Sequence, residues 1–184
     1  EGLEPVLVDV EPKVASVNGA AVMSIEDFTA SDRPKRYAAG IADHLIRRRV
    51  TEEMERVGIE PFDVLAPTSI VLDGAEISPG CVLTDHSMVM PNTTIGKSFH
   101  ANIYAYVGHD CTVGDFVTLA PKVAINGNVI IGDGVYIGAG AVIKNGKPST
   151  PLIIGAQAVI GMGAVVIQNV PAGVTVVGNP ARAV

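Results

Sequence analysis

An aliphatic or small residue returns at every sixth position along most of this chain. This ladder runs unbroken from Val71 to Ile143 and resumes from Ile154 to Val166. Its members are Val71, Ile77, Leu83, Val89, Ile95, Ala101, Val107, Val113, Leu119, Ile125, Ile131, Ile137, Ile143, Ile154, Ile160 and Val166. A repeat at a fixed period constrains a fold more than local propensity does. A period of six matches neither an amphipathic helix nor an alternating strand.

A parallel β-helix does match a period of six, because each flat face of its prism is one hexapeptide long. Three faces form a coil of eighteen residues, and coils stack at about 4.8 Å, the spacing of neighbouring strands. Ladder residues point inward, and the corners need small residues such as Gly108. The pattern therefore predicts a mainly β chain with a parallel β-helix over residues 69–168 and with Ile125, Ile131 and Ile137 buried.

The composition agrees with a narrow prism and excludes some functions. The chain is 48% hydrophobic but only 4% aromatic, and it has no Trp. A net charge of −6 argues against a nucleic-acid-binding surface, which needs a basic patch. Cys81 and Cys111 both occupy an inward slot of the repeat, thirty residues apart, so we predict two buried free thiols. No signal peptide or membrane-spanning apolar run is apparent, which predicts a cytoplasmic protein.

Residues 1–66 have a different pattern from the repeat. The predicted elements are strands at 6–10, 20–23, 36–42 and 62–65 and a helix from an N-cap at Asp43 to a stop at Gly58. Such an order is typical of a small α/β domain with a parallel sheet. Because no Gly-rich loop joins a first strand to a first helix, we interpret residues 1–66 as a small or incomplete domain and residues 67–184 as the β-helix domain with a C-terminal cap.

One insertion interrupts the repeat. Eleven residues separate Ile143 from Ile154 where six are expected, so Lys144–Pro151 must leave the prism as a loop. A tolerated surface insertion is one interpretation. The other is that Lys144 and Lys147 contact an anionic ligand beside a groove.

His109 is the histidine whose position in the repeat is informative. It lies at a corner beside Asp110, and adding eighteen places Gly127 next to it on the following coil. A corner His with a stacked Gly has room for a substrate, and a neighbouring carboxylate can orient the ring as a general base requires. His86 and His100 occupy other slots of the hexapeptide and have no assigned role.

Three segments resemble bacterial sugar O- and N-acyltransferases, the hexapeptide family that includes sialic acid O-acetyltransferases and UDP-4-amino-sugar N-acetyltransferases. They are Tyr106–Phe116, Gly161–Val166 and Val177–Arg182. The resemblance implies a left-handed β-helix, a homotrimer with active sites between subunits, and acetyl-CoA as the co-substrate. It also implies a nucleotide-linked sugar as the acceptor, acetylated on an amino or hydroxyl group. Apolar faces between Val117 and Ile143 independently favour association.

The same resemblance assigns residues to the site. His109 takes the place of the catalytic base and Asp110 that of its supporting acid. The residues that fall where the family holds acetyl-CoA are Gly127, Ala139 and Met162. Apart from the resemblance, we expect the inserted loop to lie close to the nucleotide end of acetyl-CoA, with Lys144 and Lys147 as partners of its phosphates. Where many members have a second His, this chain has Thr118, which implies a weaker or different contact.

The acceptor side departs from the family pattern. Its members open with a Gly-rich, His-containing loop, and here the strand Val6–Asp9 resembles the segment that follows that loop. Asp9 is therefore the candidate for acceptor binding. Either the first strand and helix precede this chain or this member has lost them.

Two alternatives to an acetyltransferase remain. A metal-dependent hydratase of the γ-carbonic-anhydrase type needs three histidines meeting at a subunit interface, and His86, His100 and His109 occupy three different slots. A non-catalytic structural β-helix predicts neither a groove nor binding of acetyl-CoA.

Overall fold

The computed structural model describes residues 4–184, and the chain divides into two compact units at Lys35 and Arg36. The sequence pattern predicted a boundary between residues 66 and 67 instead. The difference arises because the helix predicted after Asp43 makes its contacts with the β-helix, as described below.

The N-terminal unit is a small sheet with one short helix. Its elements are β1 (Val6–Asp9), β2 (Ser16–Val17), β3 (Ala20–Ser24) and α1 (Ile25–Ala30). β1 pairs with β3 in parallel, as predicted, whereas the antiparallel β2 was not expected from the sequence. Ser24 caps α1 by accepting a hydrogen bond from the Asp27 amide at 3.0 Å.

The remaining strands form three faces of a parallel prism. Face 1 holds β4 (Val64–Leu65), β7 (Val82–Leu83), β10 (His100–Ala101), β13 (Thr118–Leu119), β16 (Tyr136–Ile137), β19 (Val159–Ile160), β21 (Thr175–Val177) and β22 (Arg182–Ala183). Face 2 holds β5 (Ile70–Val71), β8 (Met88–Val89), β11 (Tyr106–Val107), β14 (Ala124–Ile125), β17 (Val142–Ile143) and β20 (Val165–Val166). Face 3 holds β6 (Glu76–Ile77), β9 (Thr94–Ile95), β12 (Thr112–Val113), β15 (Val129–Ile131) and β18 (Leu152–Ile154). Within these three faces, β22 alone pairs antiparallel, and it closes the last coil.

The ladder residues form the core, as the period of six predicts. Val107 pairs with Ile125, one coil further on, and Ile125, Ile131 and Ile137 are buried. Val71 is an exception at 43% exposed, because it lies in the first coil, where no further coil covers it. The prism begins at Val64 rather than at residue 69. Cys81 and Cys111 are buried free thiols, as predicted.

The predicted insertion is a short turn added to one coil. The Gly146 amide donates to the Gly127 carbonyl at 3.0 Å, so the chain still follows the coil below at that point. Lys147 and Thr150 then form a turn with two backbone hydrogen bonds, and β18 resumes the repeat at Leu152. The extra residues therefore leave the register of the core unchanged.

Helix α2 (His44–Arg56) packs on face 1. Its N-cap is Asp43, whose carboxylate accepts hydrogen bonds from the Leu45 and Ile46 amides, and Gly58 follows it with a φ of +73°. The buried Arg47 donates to the carbonyl groups of Phe116 on the prism and of Ile41. These features match the predicted helix.

The strand predicted at 36–42 is not formed. Tyr37 makes one isolated bridge to Pro61, and the rest of the segment is irregular. The carbonyl groups of Ile41 and Ala42 accept hydrogen bonds from Arg47, so these groups are satisfied without a neighbouring strand.

The buried His100 makes stability depend on pH. It lies on face 1, where burial and then the charge of Arg47 lower its pKa to about 4. The unfolded chain takes up this proton near pH 6.5, and the folded chain does so only near pH 4. The stability that neutral His100 provides is therefore complete above pH 6.5 and is lost as the pH falls toward 4, by up to about 3 kcal/mol.

We expect the unfolding temperature measured by calorimetry to fall as the pH is lowered from 7 to 4.5. The His100→Gln variant should show a flatter dependence, whatever its absolute stability, because glutamine does not titrate. Equal slopes for the two proteins would show that His100 is not held neutral in the fold.

Candidate active site

A groove of about 430 Å³ follows the corner between faces 2 and 3. One of its walls is apolar and comes from face 2, and the amide side chains come from successive turns of the corner. The lining residues are Met88, Met90, Tyr106, Gly108, His109, Asn126, Gly127, Asn128 and Asn145. A concave site with an apolar wall and a few convergent polar groups is typical of small-molecule binding.

His109 and Asp110 form a hydrogen-bonded pair in this groove. The His109 Nδ1–H donates to Asp110 Oδ2 at 2.6 Å. That bond leaves the Nε2 lone pair as the free acceptor of the neutral ring. The pKa of Asp110 lies below its ordinary value because of hydrogen bonds first from His109 and then from Asn92, so the carboxylate is charged near neutral pH. The pair can therefore accept a proton at Nε2.

Gly127 makes room for the imidazole. A Cβ added to Gly127 would lie 2.5 Å from both Cε1 and Nε2 of His109, which is closer than real Cβ atoms approach. The eighteen-residue spacing thus places these two residues next to each other, as the sequence indicated. The structure brings together His109, Asp110 and Gly127.

Ala139 and Met162 lie at another corner, between faces 1 and 2. The Gly163 amide donates to the Ala139 carbonyl at 2.9 Å, so the two residues occupy successive turns of that edge. Met162 is 80% exposed. A single chain does not place this edge in the groove of His109.

Thr118 does not lie in the groove. It is 2% exposed on β13, beneath α2. Its hydroxyl accepts from Arg47 at 3.0 Å and donates to the Ala42 carbonyl at 3.2 Å. Because the hydroxyl already accepts and donates within the protein, we leave Thr118 out of the site. The resemblance had implied a weaker or different contact with the cofactor at this position.

The remaining predicted residues are exposed. Lys144 precedes Asn145, which lines the groove, and Lys147 begins the inserted turn. Asp9 ends β1 in the N-terminal unit, where it lines a separate groove of about 530 Å³ with several valines and Lys13. Its carboxylate accepts a hydrogen bond from the Glu11 amide at 3.2 Å.

The amides and methionines around His109 were not predicted from the sequence. Asn92 donates to Asp110, and the Tyr106 hydroxyl donates to Asn126 at 3.1 Å. The eighteen-residue rule would have identified Asn92, which lies one coil before Asp110. Met88 and Met90 carry no comparable signal, because an apolar residue on a β-helix face is ordinary.

The three histidines of the hydratase alternative lie in different environments. His86 stacks on Tyr104 with ring centroids 5.1 Å apart, His100 is buried on face 1, and His109 pairs with Asp110. Within residues 4–184, no three His, Cys, Asp or Glu side chains are grouped so as to hold a metal ion. In the same range, neither helix has the length and apolar character needed to cross a bilayer.

Comparison with known proteins agrees with this geometry. The family model "Bacterial transferase hexapeptide (six repeats)" matches residues 113–145. GDP-perosamine N-acetyltransferase of Escherichia coli O157:H7 is 49% identical, over 98% of this chain and 83% of that protein.

Two solved structures are also similar. The first is WeeI from Acinetobacter baumannii AYE, with a TM-score of 0.95 and 45% identity over 97% of this chain and 85% of that one. The second is a mutant of perosamine N-acetyltransferase from Caulobacter crescentus in complex with CoA and GDP-perosamine. It has a TM-score of 0.91 and 25% identity over 97% of this chain and 84% of that one. With these relatives and its prism of hexapeptides, the chain belongs to the hexapeptide-repeat sugar acetyltransferases of the left-handed β-helix type.

Proposed function

We propose that this protein transfers the acetyl group of acetyl-CoA to the amino group of a GDP-linked amino sugar. The observation that carries the proposal is the His109–Asp110 pair, whose free Nε2 lies against Gly127 in an open groove. The 49% identity to a GDP-perosamine N-acetyltransferase favours an amine over a hydroxyl, and GDP over the UDP that the resemblance first suggested.

His109 provides the base for a direct transfer. Its neutral Nε2 takes a proton from the acceptor nitrogen while that nitrogen attacks the thioester carbonyl, and Asp110 stabilises the imidazolium that forms. Collapse of the tetrahedral intermediate breaks the C–S bond, and the imidazolium returns the proton to the departing thiolate. The thioester is already activated, so holding both substrates together supplies much of the rate without a covalent enzyme intermediate.

The assay that tests the proposal measures release of the CoA thiol with three acceptors. GDP-perosamine should be turned over, GDP-mannose should not because it lacks an amine, and a UDP-linked amino sugar should be a poor substrate. Thiol release with none of the three, or faster turnover of the UDP sugar, would contradict the proposed acceptor.

The separation of the two corners supports a homotrimer as the active species. If the edge with Ala139 and Met162 of one copy met the groove with His109 and Gly127 of the next, the residues assigned to acetyl-CoA would form one site. Face 2 also exposes apolar side chains, including Ile70 and Val142, which are better buried than hydrated. Sedimentation should give three chains per particle at micromolar concentration, and a stable monomer would contradict this assembly.

We assign the acceptor's nucleotide to residues 1–66 and the cofactor's phosphates to the inserted turn. Asp9 would accept hydrogen bonds from hydroxyl groups of the acceptor, and Lys144 and Lys147 would act as point charges near phosphate. We also propose a cytoplasmic location, where the free thiols of Cys81 and Cys111 are kept reduced.

These assignments predict that each set of substitutions raises the Michaelis constant of a different substrate. The Lys144→Gln/Lys147→Gln variant should raise KM for acetyl-CoA roughly 3- to 10-fold with kcat unchanged, because exposed charges contribute modestly to binding. Asp9→Ala should raise KM for the nucleotide sugar alone. Steady-state kinetics with each substrate varied in turn makes each variant the control for the other. An unchanged KM would remove the corresponding residues from the site.

A further inference from the structure

Both oxygens of the Asp110 carboxylate have a protein partner. Oδ2 accepts from Nδ1 of His109 at 2.6 Å, and Oδ1 accepts from Nδ2 of Asn92 at 3.2 Å. The three side chains therefore form one hydrogen-bonded series that begins one coil before Asp110 and ends at the imidazole.

The coil stacking holds Asn92 beneath Asp110. The Asp110 amide donates to the Pro91 carbonyl at 3.2 Å, and the Asn92 amide donates to the Gly74 carbonyl at 3.1 Å. The backbone positions of Asn92 and Asp110 are thus tied to successive coils of the prism. The distance between their side chains is consequently a property of the β-helix and not of a mobile loop.

The backbone does not require asparagine at this position. Asn92 has a φ of +57°, in the left-handed region that asparagine tolerates well. Corner residues with nearly the same φ include His86, Tyr104, Phe116 and Lys122. Since these corners accept many residue types, the amide of Asn92 is not explained by its backbone conformation.

The hydrogen bond from Asn92 restricts a side chain that could otherwise rotate. The Asp110 side chain is 46% exposed, so a carboxylate with His109 as its one partner would exchange that partner for water. A second bond fixes the plane of the carboxylate and keeps Oδ2 on Nδ1. Because the amide is neutral, it does this without adding charge next to His109.

We propose that Asn92 is a positioning residue that holds the Asp110 carboxylate in the orientation needed to direct Nε2 of His109 into the groove. The inference rests on the proposed function, in which His109 is the base. Asn92 touches neither substrate in this assignment and acts through Asp110.

Two substitutions of Asn92 test two effects separately: the orientation of the Asp110 carboxylate and the negative charge near His109. Asn92→Gly removes the amide without strain at positive φ and should lower kcat roughly 3- to 10-fold, with both KM values unchanged. Asn92→Asp places a second carboxylate beside Asp110, which stabilises the imidazolium. Besides Asp110, the titratable groups nearest this position are His109, which bonds the same carboxylate, and Asp73, which precedes Gly74 on the coil before Asn92. The acid limb of the kcat/KM profile should therefore move up by roughly half a pH unit or more.

A double-mutant cycle distinguishes positioning from a purely structural role. In an Asp110→Asn background, adding Asn92→Gly should change kcat by less than about twofold, because the residue through which Asn92 acts is already altered. Gln157→Gly is the matched control, since Gln157 is an exposed amide with a φ of +60° at another corner. It should leave kcat and the pH profile unchanged. Losses that multiply in the double variant would overturn the proposal.

A readout independent of turnover keeps this test separate from the proposed function. The midpoint of the His109 Cε1–H titration, followed by NMR, should move upward in Asn92→Asp and stay in place in Gln157→Gly. If His109→Ala kept normal turnover, the proposed mechanism would fail. The titration of His109 in the proteins that retain it would still report the contact between Asn92 and Asp110. An unmoved midpoint in Asn92→Asp would overturn the role of Asn92, even in an enzyme whose base is His109.

Discussion

Replacing His109 with alanine is expected to lower kcat by roughly 10²- to 10⁴-fold, the range that general-base assistance contributes. The variant keeps the groove and Gly127, so its affinity for acetyl-CoA should be retained. The His109 side chain is 55% exposed at the corner, and for this reason the substitution should also leave the fold intact. Rapid-quench or steady-state kinetics with saturating acceptor, combined with calorimetric binding of CoA, measures both quantities.

Asp110→Asn should fall between the alanine variant and the wild type. Asparagine preserves the size of the side chain but removes the charge that stabilises the imidazolium, and its amide can present a hydrogen to Nδ1 and so favour the wrong tautomer. If His109→Ala turned over a competent acceptor within a few-fold of wild type, His109 would be only a corner residue of a β-helix.

The period of six predicts the β-helix because one physical constraint repeats in every coil. Each ladder residue must fill the same narrow interior, so Ile125 and Ile137 can be assigned without knowing any long-range contact. The helix after Asp43 was predicted from its cap and its stop, because both of these signals are local in the sequence. Its packing on face 1 was not predicted, because the hydrogen bond from Arg47 to Phe116 joins residues about seventy positions apart in the chain.

The candidate site was predictable to the extent that it follows the coil spacing. His109, Asp110 and Gly127 are related by adjacency and by one coil, so the sequence placed them together. The burial of Thr118 depends on α2, which the repeat does not describe. The separation of Met162 from His109 depends on which corner each residue occupies.

Gly127→Ala is expected to lower kcat by roughly 10²-fold, the loss that a displacement of about 1 Å at a reacting group can cause. The new methyl group would lie 2.5 Å from Cε1 and Nε2 of His109. The backbone of Gly127 cannot retreat, because its carbonyl accepts from Gly146 and the following Asn128 amide donates to the His109 carbonyl. The imidazole must therefore move, and its bond to Asp110 must lengthen or break.

The loss should appear in turnover and not in stability, because an exposed ring can swing into solvent at little cost. The unfolding temperature of Gly127→Ala should stay close to wild type while kcat falls. Gly40→Ala is the matched control: a Cβ at Gly40 meets nothing within 4 Å, and its backbone is not in the left-handed region. Normal turnover in Gly40→Ala together with a large loss in Gly127→Ala would show that the position of the imidazole limits the rate. An active Gly127→Ala enzyme would mean that His109 does not rest against Gly127 during catalysis, and the base would then have to act from another rotamer.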